Sequence, residues 1–75
     1  MDGRMLLNSK NLKKLRKIKG LSQEKLAQEC KDHRIQLSIA SIKRAETGKQ
    51  VLYRTAAALA SYYQVSIDEI CSHPG

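Results

Sequence analysis

The sequence predicts an all-α domain, a compact bundle of five short helices. Three observations carry that expectation. Apolar residues recur at helical spacing in several separate windows. Serines stand where helix N-termini need acceptors, and glycines where helices need a left-handed stop. No run alternates β-branched with polar residues between hairpin turns, and there is no repeat, low-complexity stretch or internal linker. At 75 residues the chain supports one domain with a small core. Residues 1–8 read as an N-terminal extension, 9–71 as the folded domain and 72–75 as a tail.

From Ser9 to Lys19, Leu12, Leu15 and Ile18 recur at helical spacing among five lysines, and Gly20 ends this first helix. Ser22 caps a second helix whose inward residues are Leu26, Ala27 and Cys30, running to about His33. Ser38 caps a third, Ile39 to about Thr47. A step of about 100° per residue turns Ile42, Ala45 and Glu46 one way and Ala40, Lys43, Arg44 and Thr47 the other. The inner face is apolar and the outer one basic. Gly48 stops the helix. Val51, Thr55, Ala56, Leu59, Ala60 and Tyr63 set out a fourth, and Ser66 caps a short fifth with Ile67 and Ile70 as its buried pair and Pro74 beyond its end.

Fourteen Lys and Arg against seven Asp and Glu give a net charge of +7, the balance of a chain that meets a polyanion. All the basic residues lie between Arg4 and Arg54, whereas Asp68 and Glu69 are the full charges after it. One part faces phosphate and the other supports it. No apolar run approaches the roughly 18 to 20 residues that span a bilayer, and Met5-Leu6-Leu7 is too short for a signal-peptide core, so a cytoplasmic, nucleoid-associated domain is expected.

Cys30 and Cys71 with His33 and His73 lack persuasive zinc spacing, and two half-buried thiols fit a reducing compartment better than a disulfide. No metal and no cofactor is expected. His33 reads as a surface residue without a catalytic partner, and there is neither a glycine-rich phosphate loop nor a nucleophile with a base. That pattern argues against an enzyme. Tyr63 is expected to pack, and Tyr53 and Tyr62 to be partly exposed.

Four blocks in order carry a resemblance. They are Leu12-x-x-Leu15-Arg16, Leu21-Ser22-Gln23-x-x-Leu26-Ala27, Ser38-x-x-x-Ile42-x-x-x-Glu46-x-Gly48-Lys49, and Leu59-Ala60-x-x-Tyr63-x-Val65-Ser66-Ile67-Asp68-x-Ile70. Together they resemble the phage Cro and repressor type of helix-turn-helix, also called the xenobiotic-response-element family. The resemblance implies a lambda-repressor-like fold binding double-stranded DNA as a bacterial or phage transcriptional regulator, with the helix from Ser38 in the major groove. Lys43, Arg44, Ala40 and Ile39 then face the bases. Gln23, Ser38, Ser41, Lys49, Gln50 and Arg54 face phosphates, and an Arg16–Glu46 ion pair ties the first helix to the third. Relatives of this type imply homodimers on pseudo-palindromic sites and leave room for a fused C-terminal sensor or effector domain.

One segment departs from the family pattern. Between Ala27 and Ser38 the chain is about five residues longer than the compact turn and lacks its glycine. Either the second helix gains a turn and the chain returns through Ile35 and Leu37 to cover the core, or the insert projects Lys31 or Arg34 outward; the first is expected. A different function, protein interaction or dimerisation through the same fold, would need an exposed apolar patch, for which Met5, Leu6, Leu7 and Ile39 are the candidates.

Overall fold

The computed structural model describes residues 3–72. His73 and Pro74, weighed above as a metal ligand and as a residue beyond the last helix, lie outside the described residues, as does the tail after Ser72. Five helices form among those described: α1 (Ser9–Ile18), α2 (Gln23–Asp32), α3 (Ile39–Glu46), α4 (Tyr53–Tyr63) and α5 (Ile67–Ile70). Four of them start at a side-chain cap. Asn8 accepts from the Asn11 N–H, Ser22 from Lys25, Ser38 from Ser41 and Ser66 from Glu69, satisfying donors the helices themselves cannot. At Ser66 the favour is returned, since the Glu69 carboxylate accepts the Ser66 N–H at 3.2 Å.

The helices α1 to α4 also share one way of stopping. After α1 the Leu21 N–H donates to the Arg16 carbonyl at 3.2 Å around Gly20, whose φ is +69°. After α3 the Lys49 N–H reaches the Arg44 carbonyl at 3.1 Å around Gly48, φ +76°. α2 and α4 close likewise without glycine: Ile35 N–H to Cys30 oxygen at 2.7 Å around Arg34 (φ 60°), and Val65 N–H to Ala60 oxygen at 3.0 Å around Gln64 (φ 57°). The lengthened turn therefore takes the first of its two forms. α2 ends at Asp32, and the chain comes back through Ile35 and Leu37, both half-buried against the core.

Leu12, Leu26, Cys30, Ile42, Leu59 and Ile70 are sealed from solvent, so every helix sends at least one side chain to the common centre. Ile18 does not follow. It is 71% exposed, because six residues beyond Leu12 a helix has rotated about 120° away from the buried direction. The spacing that proposed it drifts off the face over two steps.

Two short strands are added to the all-α plan. β1 (Arg4–Met5) pairs antiparallel with β2 (Val51–Leu52), Arg4 opposite Leu52 and Met5 opposite Val51. Val51, assigned from sequence to the fourth helix, thus belongs to the strand before it, and α4 begins at Tyr53. Elements of two residues are too short for alternation to register. Further along, Leu7 bridges Cys71, the Asn8 N–H donates to Ile70 oxygen at 2.7 Å, and the Ser72 N–H to Leu6 oxygen at 3.0 Å. Residues 3–8 therefore staple the α3–α4 connection to the end of α5. In consequence Leu7 is 3% exposed and Met5 packs on the core, while Leu6 stays exposed. Ile39 is half-buried. Of the four apolar candidates for a docking patch, Leu7 is buried, Met5 and Ile39 are half-buried, and Leu6 is exposed.

The left-handed residue at the end of α2 gives a first prediction. An ordinary side chain in that backbone region costs about 1 to 2 kcal/mol, which glycine avoids at the expense of about 0.5 to 1 kcal/mol of chain entropy. Arg34→Gly is expected to raise unfolding stability by about 0.5 to 1 kcal/mol in denaturant titration. A loss of stability would show that the Arg34 side chain contributes more than its backbone costs.

Candidate nucleic-acid interface

α3 is only 8 residues long, below the length at which a helix holds itself in water, so its aim is decided by what pins it. Ile42 and Ala45 pin its middle to the core and Glu46 its end. The Glu46 carboxylate is 2% exposed, and three donors converge on it. Arg16 grips both oxygens, Nε to Oε2 at 2.9 Å and Nη2 to Oε1 at 3.0 Å, and the Gln23 amide adds a bond to Oε1 at 3.1 Å. The remaining fork of Arg16 donates to Leu21 oxygen at 2.9 Å, in the turn between α1 and α2. One carboxylate thereby joins α1, α2 and α3. The bond to Glu46 raises the Arg16 pKa above its ordinary value against the opposing effect of burial. Tyr63 lies within reach of both charges; burial first, and the Glu46 charge second, push its hydroxyl pKa well up, and among the described residues that buried hydroxyl has no hydrogen-bond partner.

With its inner face so held, α3 presents Ala40, Lys43, Arg44 and Thr47 to solvent. Lys43 is without a side-chain partner among the described residues. Arg44 donates from Nη2 to the Gln50 oxygen at 3.1 Å, which leaves most of its five N–H groups uncommitted. Thr47 turns its hydroxyl inward to the Lys43 carbonyl at 2.7 Å. Ser38 caps the Ser41 N–H and donates its own proton to Ser41 Oγ, both at 3.1 Å, so the Ser41 proton stays available to an outside acceptor. Ile39 lies on the half-buried edge of the helix.

The flanks continue the basic surface. Lys49, Gln50 and Arg54 are exposed on the connection from α3 into α4. Gln23 opens α2 half-buried, and its bond to Glu46 leaves one amide N–H and the carbonyl oxygen uncommitted. Arg16 neutralises Glu46, and Glu24, exposed in the first turn of α2, is a second acidic group within electrostatic reach of Arg16. On another side of the bundle, Tyr62 donates to Glu29 at 3.2 Å, carries the Lys19 ammonium 5.3 Å above its ring and meets the His33 ring edge-on. Tyr53 is exposed. The Tyr62 ring meets that of Tyr63 edge-on at 5.3 Å and makes no ring contact with Tyr53. Cys30 is a buried free thiol and Cys71 a half-buried one, both pushed up by burial. No cluster of three potential metal ligands occurs among the described residues.

The family model described as Helix-turn-helix matches residues 12–70. The chain belongs to the Cro and repressor type of helix-turn-helix family. No curated protein and no solved structure matches it. In this DNA-binding helix-turn-helix domain, α2 and α3 are the paired helices, and the segment 33–38 between them is the lengthened turn. No helix among its described residues is long and apolar enough to cross a membrane.

Sequence reasoning passed over Arg4, which the strand pairing brings beside α3, because nothing local marks two residues as partners of a segment far along the chain. It also passed over Asn8, whose cap on α1 was legible: an Asn stands immediately before the first helical residue.

Two substitutions around the clasp are expected to move stability in opposite directions. Glu46→Ala strands the Arg16 charge and is expected to cost about 3 to 5 kcal/mol. Tyr63→Phe removes an unpartnered hydroxyl and is expected to be neutral or to stabilise by up to about 1 kcal/mol. Chemical unfolding of both variants is the check, and a clearly destabilised Tyr63→Phe would mean that the hydroxyl has a partner.

Proposed function

We propose that α3 enters the major groove of double-stranded DNA and reads a specific sequence, the domain serving a bacterial or phage transcriptional regulator. The observation that carries the reading is the division of α3: Ile42, Ala45 and Glu46 are buried, while Lys43 and Arg44 are exposed on the opposite face. Both can donate to guanine O6 and N7, with about 1 to 3 kcal/mol of discrimination for a well-placed pair. Exposed Ala40 offers a methyl to thymine, and Ile39 excludes water at the edge of the contact. Gln23, Ser38, Ser41, Lys49, Gln50 and Arg54 line the two sides and hold phosphates, fixing register without reading sequence. The Ser38 hydroxyl contributes chiefly as a cap, since its proton is committed to Ser41.

A single small domain making about five or six phosphate contacts binds weakly near physiological salt. That favours two copies on a pseudo-palindrome with half-sites about 34 Å apart.

Duplex affinity is expected to fall with salt at a log-log slope of roughly minus 4 to minus 6. Arg44→Ala is expected to reduce discrimination between duplex sequences, and Lys49→Ala to weaken all of them alike. Fluorescence anisotropy across a salt series and a panel of duplexes reads both. A shallow slope would remove the DNA reading, whereas equal losses for both variants on every sequence would remove Arg44 as a base reader.

A further inference from the structure

The register of the β1–β2 ribbon decides where Arg4 goes. Met5 and Val51 form the cross-strand pair turned to the core, so the neighbouring pair, Arg4 and Leu52, is turned the other way. The Tyr53 N–H, donating to Gly3 oxygen at 2.9 Å, holds this alignment from beyond the strand end. A slip of β1 by one residue would bury a guanidinium and expose Met5, which is why the alignment is strongly specified.

Arg4, Ser41, Arg44, Gln50 and Thr55, together with both residues of β2, line an open concavity of about 300 Å³ against the flank of α3. Two guanidinium groups and two hydroxyls meet there, and none of the lining residues is acidic. Arg44 is steadied by the Gln50 carbonyl, and Ser41 keeps a proton to give. Arg4 is exposed and, among the described residues, has no ion pair or hydrogen bond through its side chain.

We propose that this concavity is a phosphate seat with Arg4 as its principal cation, occupied by a backbone phosphate of the duplex. The proposal rests on the reading of α3 as a groove-entering helix and extends the interface to the N-terminal strand. Arg4 suits the role because its planar fork meets two phosphate oxygens at once. Ser41 supplies a neutral donor, and Arg44 adds charge from the rim while its other N–H groups remain directed to base edges.

The test is duplex binding across a salt series for Arg4→Ala and Arg4→Lys, with Lys49→Ala beside them. Arg4→Ala is expected to lose about 5- to 10-fold in affinity near physiological salt, equally on every duplex, and to make the log-log slope shallower by about 1. Arg4→Lys is expected to keep the slope and recover part of the affinity, and melting curves of both should match the parent because the side chain is exposed. If Arg4→Ala keeps both affinity and slope while Lys49→Ala loses slope, the seat is wrong and the duplex reading stands. If the parent shows no salt-dependent duplex binding, both fall. Titration with inorganic phosphate at constant ionic strength, followed through the Arg4 and Arg44 Nε signals, separates the sources of phosphate: weak, unsaturated shifts agree with a backbone phosphate, and saturation below millimolar phosphate would make this a free-anion site instead.

Discussion

A buried carboxylate at the last turn of α3 governs the rest of this structure. Glu46 occupies the end of the helix where the macrodipole disfavours negative charge, and it is almost wholly removed from water. Neither circumstance favours a glutamate for stability alone. Three donors from α1 and α2 make the position tolerable, and their geometry fixes the roll and tilt of α3. An apolar residue could fill the same space, but it would be indifferent to the angle at which the helices meet.

Charge is distributed to match. The segment after Arg54 carries Asp68 and Glu69 and no Lys or Arg, while every Lys and Arg lies at or before Arg54. α4 and α5 supply Ala56, Leu59 and Ile70 to the core, and residues 3–8 tie α5 back to the strand before α4. The basic surface therefore stands on a scaffold held by apolar contacts, backbone hydrogen bonds and one buried ion pair, which salt screens far less than exposed charge pairs. Steep salt dependence in binding and slight salt dependence in folding are compatible for that reason.

How far the sequence spoke for itself depended on the range of the signal. Ser22, Ser38 and Ser66, with Gly20 and Gly48, act within a few residues, and each does in the structure what its position implied. The two faces of α3 were legible because eight residues suffice for a 3.6-residue period. Ile18 was misjudged where that period drifts. The strands, the burial of Leu7 and the place of Arg4 were hidden, since pairing between distant two-residue segments has no local pattern. Arg34 and Gln64 hid their turns because neither residue type advertises left-handed backbone. The convergence of Gln23 on Glu46 emerges from packing, not from spacing.

The claim that Glu46 and Arg16 set the aim of α3, more than its stability, is tested most directly by replacing both partners with apolar residues. In the double variant Arg16→Met with Glu46→Leu, no charge is stranded, and folding stability is expected to equal or exceed that of the parent. Duplex affinity of that folded protein, measured at one salt concentration on its preferred sequence, is then the deciding quantity. A loss of about tenfold or more, roughly 1.4 kcal/mol, is the predicted result; a stable double variant that binds the preferred duplex as tightly as the parent would contradict the account.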